Sequence, residues 1–136
     1  MIRTKNFLYI RNYNPERWSA GIYSMVANEG HYGDVDGSPT KDYMLTHNNA
    51  PEAKRLYDLS FGKRPAEELY DCRKDPFQIN NLSGDPEYKV KKQELATRLT
   101  AYLKETDDPR ETSQQACWDK YKYYGRSNWK ILPETR

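Results

Sequence analysis

Asp34 and Asp36, one residue apart and followed by Gly37, carry the pattern in this 136-residue chain closest to ligand chemistry. Alternating carboxylates ahead of a glycine are how many calcium loops begin. A helix–loop–helix calcium site also needs further oxygen ligands and a later glycine, which do not follow here. The favoured reading is a Gly/Asp turn that feeds a helix. Cys72 and Cys117 are the only cysteines, and His31 and His47 the only histidines. With no Cys-x-x-Cys pair they form no zinc cluster. The cysteines are compatible with one bridge or with two thiols, and Cys72 suits a small buried apolar position. Arg3, Arg11, Arg64 and Arg73 flank predicted strands; their planar forks match oxyanions, although scattered arginines usually serve as solvated surface. Near the C-terminus Lys120-Tyr121-Lys122-Tyr123-Tyr124 interleaves cations with rings. That pattern stacks on sugars or single-stranded bases while pairing with anions. An arm with half-buried rings and wet lysines is the favoured alternative. Asn81-Leu82-Ser83 matches a glycosylation sequon, a short pattern that arises readily by chance.

Several elements must position these residues. Ile2 and Phe7-Leu8-Tyr9-Ile10 predict a hairpin turning at Lys5-Asn6, with asparagine tolerating the positive φ of a tight turn. Phe7 and Tyr9 share one face and Leu8 and Ile10 the other, so the second strand should be central and covered on both sides. Residues 12–37 hold no sustained period and predict a long loop, tacked down by Trp18, Ile22, Tyr23 and Met25. Ser38-Pro39-Thr40 predicts an N-cap and first helical turn, running to about His47. A second helix should begin near Asn49-Ala50-Pro51, bury Ala53, Leu56, Tyr57 and Phe61, and end at Gly62. Glu68-Leu69-Tyr70-Asp71 predicts a short strand, stopped by Asp75-Pro76. Asn80 and Asn81 predict a further turn. Asp85 as N-cap and Pro86 at the first helical position open a long helix to about Glu105. Tyr88, Leu95, Ala96, Leu99, Tyr102 and Leu103 form its apolar stripe, with Lys91, Lys92, Glu94 and Arg98 on the wet side.

The sequence Glu68-Leu69-Tyr70-Asp71, then Asp75-Pro76, Asn81-Leu82 and a helix resembles the C-terminal subdomain of the sulfatases. Asp34-Val35-Asp36-Gly37-Ser38-Pro39-Thr40 and Lys104-Glu105-Thr106-Asp107-Asp108-Pro109 point to the heparan N-sulfatase (sulfamidase) branch. The resemblance spans roughly residues 1–110, leaving 111–136 as an aromatic and basic tail. It implies an α+β fold: a small antiparallel sheet with a long C-terminal helix across one face. Sulfatases use a formylglycine made from Cys or Ser in a Cys-x-Pro-Ser-Arg-like motif, together with a calcium site and cationic side chains around the sulfate. Cys72 is followed by Arg73-Lys74-Asp75 and Cys117 by Trp118-Asp119-Lys120, and neither matches that motif. No catalytic residue and no cofactor is therefore assigned to this chain. Formylglycine and calcium are expected in a missing N-terminal catalytic domain, its expected partner. The resemblance also implies that C-terminal loops wall the cleft beside that domain. His31, Tyr32, Asp34 and Asp36 would then meet a hydroxyl or amino group of a sulfated sugar.

Composition sets the outer limits. The hydrophobic fraction is 36%, the mean hydropathy −1.12, and 12 tyrosines enrich the aromatic content. A core of amphipathic rings is expected, with some aromatic surface meant for a partner. Net charge is +2, from 22 basic and 20 acidic residues, a balance that speaks against a general nucleic-acid binder. No apolar run approaches the ~20 residues that cross a bilayer, so no membrane partner is expected. Residues 1–6 lack an apolar signal segment. The parent of a sulfatase-like piece is nonetheless expected to be exported, with its signal upstream. The rival reading is a stand-alone carbohydrate- or anion-binding module that uses the tail aromatics; a single-stranded nucleic-acid binder is a weaker third.

Overall fold

The computed structural model describes residues 1–19, 32–33 and 35–113. The described residues fall into two compact units, one of residues 1–13 and 65–113, the other of residues 14–64. The fold is α+β, as expected.

The first unit is built on a three-stranded antiparallel sheet, β1 (Ile2–Arg3), β2 (Phe7–Arg11) and β3 (Glu67–Asp71), in the order β1-β2-β3. β2 is central, as its two apolar faces predict. Thr4 makes the hairpin turn: its hydroxyl accepts from Phe7 N at 3.0 Å, and its own N–H donates to Phe7 O at 2.8 Å. Ile2 pairs with Tyr9, and Tyr9 with Leu69, so all three side chains share one face. Across that face lies α3 (Lys89–Glu105), which contributes Leu95, Ala96, Leu99 and Leu103 to the core around Tyr9 and Leu69. Each fully buried leucine contributes roughly 1.5–3 kcal/mol. Tyr9 is wholly buried, yet its hydroxyl donates to Glu67 at 2.5 Å, and Glu67 also receives Lys92 Nζ at 3.1 Å. The ring's polar end is thus satisfied at the margin of the core. On the opposite face Leu8 and Tyr70 are buried. There Glu68 accepts from Tyr70 Oη at 2.5 Å and from Asn12 Nδ2 at 2.8 Å.

The outer edge of β3 is sealed by the turn that follows it. Asn81 Oδ1 accepts from Leu69 N at 2.9 Å, Leu82 N donates to Leu69 O at 2.8 Å, and Asn81 Nδ2 donates to Glu67 O at 3.1 Å. A side-chain amide so replaces a missing strand and blunts the edge. The sequon asparagine therefore has its amide engaged in the fold. Asp75 organises the other half of the turn, its Oδ2 accepting from Ile79 N and Asn80 N at 2.8 and 2.7 Å.

Asp85 caps as expected, its Oδ1 accepting from Glu87 N at 2.9 Å. The turn it starts, Pro86–Tyr88, is 3-10 and passes into α3 at Lys89, so the α-helix proper begins later than its cap. Tyr102, expected in the buried stripe, is 62% exposed. It lies at the stripe's margin and lines a shallow groove with Ile2 and Arg98 beside the two-residue edge strand, which is too short to cover it. A further turn of helix, α4 (Pro109–Thr112), follows, with Asp108 as cap. Its Glu111 accepts from Arg11 Nη1 at 3.2 Å and from Tyr13 Oη at 2.8 Å.

The second unit holds α1 (Pro39–Thr46) and α2 (Pro51–Phe61). Ala53 and Phe61 are buried and Tyr57 half-buried, but Leu56, expected on the same face, is 52% exposed. Residues 53, 57 and 61 make a narrow stripe, and position 56 lies about 100° round the helix from its middle. Gly62 ends α2 as expected, in extended rather than left-handed backbone (φ −62°). What it needs is room: a Cβ there would collide with the Asp58 carbonyl, to which Gly62 N donates at 3.0 Å. Ile22, Tyr23, Met25, Cys117 and the tail aromatics lie outside the described residues.

Two predictions follow from the first unit. Leu99→Ala should destabilise by about 2–5 kcal/mol, and Leu99→Asp should unfold the unit; calorimetry showing an unchanged melting temperature for the Asp variant would reject this packing. Acid should also destabilise it. The Arg110 guanidinium and N–H hold the Asp108 carboxyl at about 2, down from 3.8, and the Tyr9 hydroxyl, opposed by burial and aided by Lys92, lowers that of Glu67. A depressed folded pKa means that the unfolded chain binds the proton first. The stabilisation is full above the ordinary carboxylate range and disappears as pH falls through it toward about 2. The melting temperature should drop on acidification over that window, and Asp108→Asn should flatten the drop; a rise would contradict the assignment.

Candidate functional site

The segment singled out by its carboxylates leads into α1 in the second unit. Ser38 is the N-cap: its Oγ accepts from Lys41 N at 3.1 Å, with Pro39 at the first helical position. Lys41, in the first turn, is 4% exposed, and its ammonium donates to the carbonyls of Tyr32 at 3.1 Å and Val35 at 2.7 Å. A cation in the first turn opposes the helix dipole, and a buried ammonium needs oxygen partners. The two carbonyls supply them, and in doing so tie Tyr32 and Val35 to the helix that follows. Val35 N donates back to Tyr32 O at 3.0 Å, closing the turn.

Tyr32 takes a positive φ of 54°. A bulky residue there is strained by about 1–3 kcal/mol, and the strain persists only where neighbours over-determine it. Its ring is fully buried, stacked on Phe61 at 4.8 Å and edge-on to Trp18 at 5.7 Å, and its hydroxyl shares a hydrogen bond with Tyr57 Oη at 2.8 Å. Trp18 in turn lies under Lys63 Nζ, 4.9 Å from the ring centre. Trp18, one of the four residues expected to tack the long loop down, thus packs against Tyr32 and Lys63, while residues 20–31 of that loop lie outside the described residues.

Of the four residues expected to meet a sugar, Tyr32 lies in the core of this unit, where it holds the turn. Asp36 is exposed, one residue beyond the Lys41 clasp. His31 and Asp34 lie outside the described residues. Lys41 was missed in the sequence. It sits in a short polar helix, and nothing local shows that its ammonium turns back to carbonyls six and nine residues earlier.

Three of the four flanking arginines are engaged within the fold. Arg11 Nη1 donates to Thr100 Oγ1 at 3.0 Å as well as to Glu111, and Arg64 Nη2 donates to Leu59 O at 2.9 Å. Arg73 forks onto Asp71 at 3.2 and 3.1 Å, which lowers the pKa of that carboxyl. Arg3 lines the shallow groove beside Tyr102. Cys72 is a free thiol just past β3, half-buried rather than within the strand. Among the described residues no group of three His, Cys, Asp or Glu is placed to hold a metal ion. No described helix is long and apolar enough to cross a membrane.

Lys41→Met keeps the apolar stem and removes the donors, leaving two buried carbonyls without their partner, at a cost of about 1–3 kcal/mol. Hydrogen exchange should quicken at residues 35–42 and stay unchanged in β2 and β3. Equal protection of the turn in both proteins would show that the lysine does not hold it.

Comparison with known proteins finds three relatives, two of them sulfatases. An ulvan-active sulfatase of Formosa agariphila is 34% identical over 110 residues, 75% of this chain and 16% of that protein. A second ulvan-active sulfatase of the same organism is 32% identical over 108 residues, 79% of this chain and 18% of that protein. An uncharacterized protein of Haemophilus influenzae is 38% identical over 58 residues, 43% of this chain and 30% of its own length. No protein-family profile and no solved structure matches. The chain spans less than a fifth of the length of the two sulfatases. Over most of its own length, then, this chain is similar to a minor part of two ulvan-active sulfatases.

Proposed function

We propose that this chain is the C-terminal, non-catalytic portion of a sulfatase that removes sulfate from a sulfated sugar. The observation that carries the proposal is the lopsided coverage: three-quarters of this chain aligns with under a fifth of each sulfatase. The α+β architecture, with α3 across a small antiparallel sheet, supports it. The reaction belongs to an N-terminal catalytic domain holding the formylglycine nucleophile and calcium, and this chain completes the fold and one wall of the cleft. The turn at Tyr32–Ser38 is the part assigned to that wall. The clasp of Lys41 fixes its backbone and Asp36 stands exposed on it, as a carboxylate that accepts from a sugar hydroxyl or amino group should. In this reading Tyr32 sets the backbone of that turn, and His31 and Asp34 are the further residues proposed to meet the sugar. A sulfate ester of a sugar is the class that the named relatives favour. N-sulfate specificity of the heparan N-sulfatase kind rests on the motifs at 34–40 and 104–109 alone. The parent is assigned to an exported location.

Purified, the 136-residue chain should release no sulfate from an aryl sulfate or from sulfated glucosamine. In the source cell, an antibody against it should detect a polypeptide several times its 16.1 kDa, and that polypeptide should release sulfate. Turnover by the chain alone, or a natural product of 16.1 kDa only, would overturn the proposal.

A further inference from the structure

At one end of the first unit, three cations gather around two aromatic rings. Phe7 and Tyr88 meet edge-to-face, centres 6.3 Å apart. The Arg73 guanidinium lies 5.8 Å from the Phe7 ring centre and Lys91 Nζ 5.7 Å from it. Lys74 Nζ lies 5.6 Å from the Tyr88 ring centre and donates to Tyr88 Oη at 2.9 Å. The three cations come from separate pieces of chain: the turn after β3 supplies Arg73 and Lys74, and the first turns of α3 supply Lys91. Two carboxylates face them. Asp71 holds Arg73 and is itself 1% exposed, so the outer side of the guanidinium stays open; Glu94 pairs with Lys91. Lys74 has only a phenol for a partner among the described contacts. Phe77, three residues beyond Lys74, is 81% exposed, and Val90, beside Lys91, is 82% exposed.

Flexible lysines lose rotamer entropy when they bind an anion. Here Lys91 Nζ lies near the Phe7 ring and Lys74 Nζ is hydrogen-bonded to the Tyr88 hydroxyl before any ligand arrives, which lowers that cost. The cations are spread over a pair of rings rather than gathered in a pocket. Three cations on an exposed surface suit a polymer carrying several anions better than one small ion. The exposed ring of Phe77 offers a face for the apolar side of a sugar.

We infer that Arg73, Lys74 and Lys91, set on Phe7 and Tyr88, form a binding surface for a sulfated polysaccharide, with Phe77 as a stacking platform. The location rests on the geometry; the choice of a sulfated sugar over another polyanion rests on the proposed sulfatase role. The surface holds the polymer while sulfate is removed elsewhere.

Affinity electrophoresis of the full chain through gels containing dextran sulfate or plain dextran tests this without any turnover. Dextran sulfate should retard the protein, plain dextran should not, and added salt should weaken the effect. Lys74→Gln with Lys91→Gln should weaken binding about tenfold, the scale of two charge-assisted contacts. Arg3→Gln with Lys104→Gln removes the same charge away from these rings and should leave binding nearly unchanged. Phe77→Ala should weaken binding severalfold with no change in net charge. Melting curves report folding, and neither lysine holds the core. No retardation by dextran sulfate, equal loss in both double variants, or stronger binding to a single-stranded oligonucleotide than to dextran sulfate would overturn the inference. Because no sulfate release is read, these outcomes are separate from failure of the sulfatase role itself.

Discussion

β3 is the constraint on which the first unit depends. It is five residues long, lies at the edge of the sheet, and must still bury Leu69 completely. An edge strand with a buried side chain leaves backbone groups that water reaches poorly, and each would cost about 1–3 kcal/mol if unpaired. On the inner side β2 satisfies them. On the outer side Asn81 and Leu82 bond both the N–H and the C=O of Leu69. The same turn then delivers the chain to Asp85, and α3 returns over the face that Leu69 presents. Strand edge, turn and helix entry form one connected unit, so the spacing from Glu67 to Asp85 is fixed by hydrogen bonds at both ends.

A core with little aliphatic carbon needs its polar atoms placed as carefully as its apolar ones. Tyr9 reaches Glu67, which also accepts from Lys92, on one face, and Tyr70 reaches Glu68 on the other. In the second unit Tyr32 and Tyr57 share a hydroxyl contact, and Lys41 gives its donors to two carbonyls. Rings supply area and hydroxyls supply direction. The strained φ of Tyr32 has a cause in this arrangement: stacking on Phe61 and the bond from Lys41 fix ring and carbonyl together, and a residue in an ordinary region would satisfy only one of them.

Much of this was legible in the sequence wherever the rule was local. Caps at Ser38 and Asp85, prolines after them, and alternation in Phe7–Ile10 each specify structure within a few residues, and each is realised. The failures come where a distant element decides. Leu56 and Tyr102 are apolar enough for a core, but the surface they would have covered is narrower than the period allows. The 3-10 turn at Pro86–Tyr88 arises between a cap and a helix that the sequence runs together. Lys41 was invisible because its partners are backbone atoms, which carry no side-chain signature. The three cations lie more than sixty residues from Phe7 in the chain; the hairpin's register against β3 brings Arg73 to that ring, and the seating of α3 brings Lys91.

The cationic surface and the core are not independent. Phe7 pairs with Asp71 across the sheet and packs against the core, and Tyr88 is the last residue before α3, also against that core. A change in how α3 seats on the sheet would therefore move both rings and every cation resting on them. Conversely, a polyanion spanning Lys74 and Lys91 would bridge the turn after β3 to the start of α3, and would favour the seated helix by mass action. The requirement that Leu69 stay covered thus fixes the register of α3, and the register of α3 fixes the spacing of charges at its N-terminal end. Sites placed on packed strands and helices keep their geometry better than sites on loops. Much of this patch is anchored in that way: Phe7 in β2, Lys91 in α3 and Tyr88 at its start. Among the described residues, the turn at Asp36 is held by Lys41, by the Val35–Tyr32 backbone bond and by the buried ring of Tyr32. The two surfaces should differ in stiffness for that reason, the first limited by the core of the sheet unit and the second by these fewer contacts.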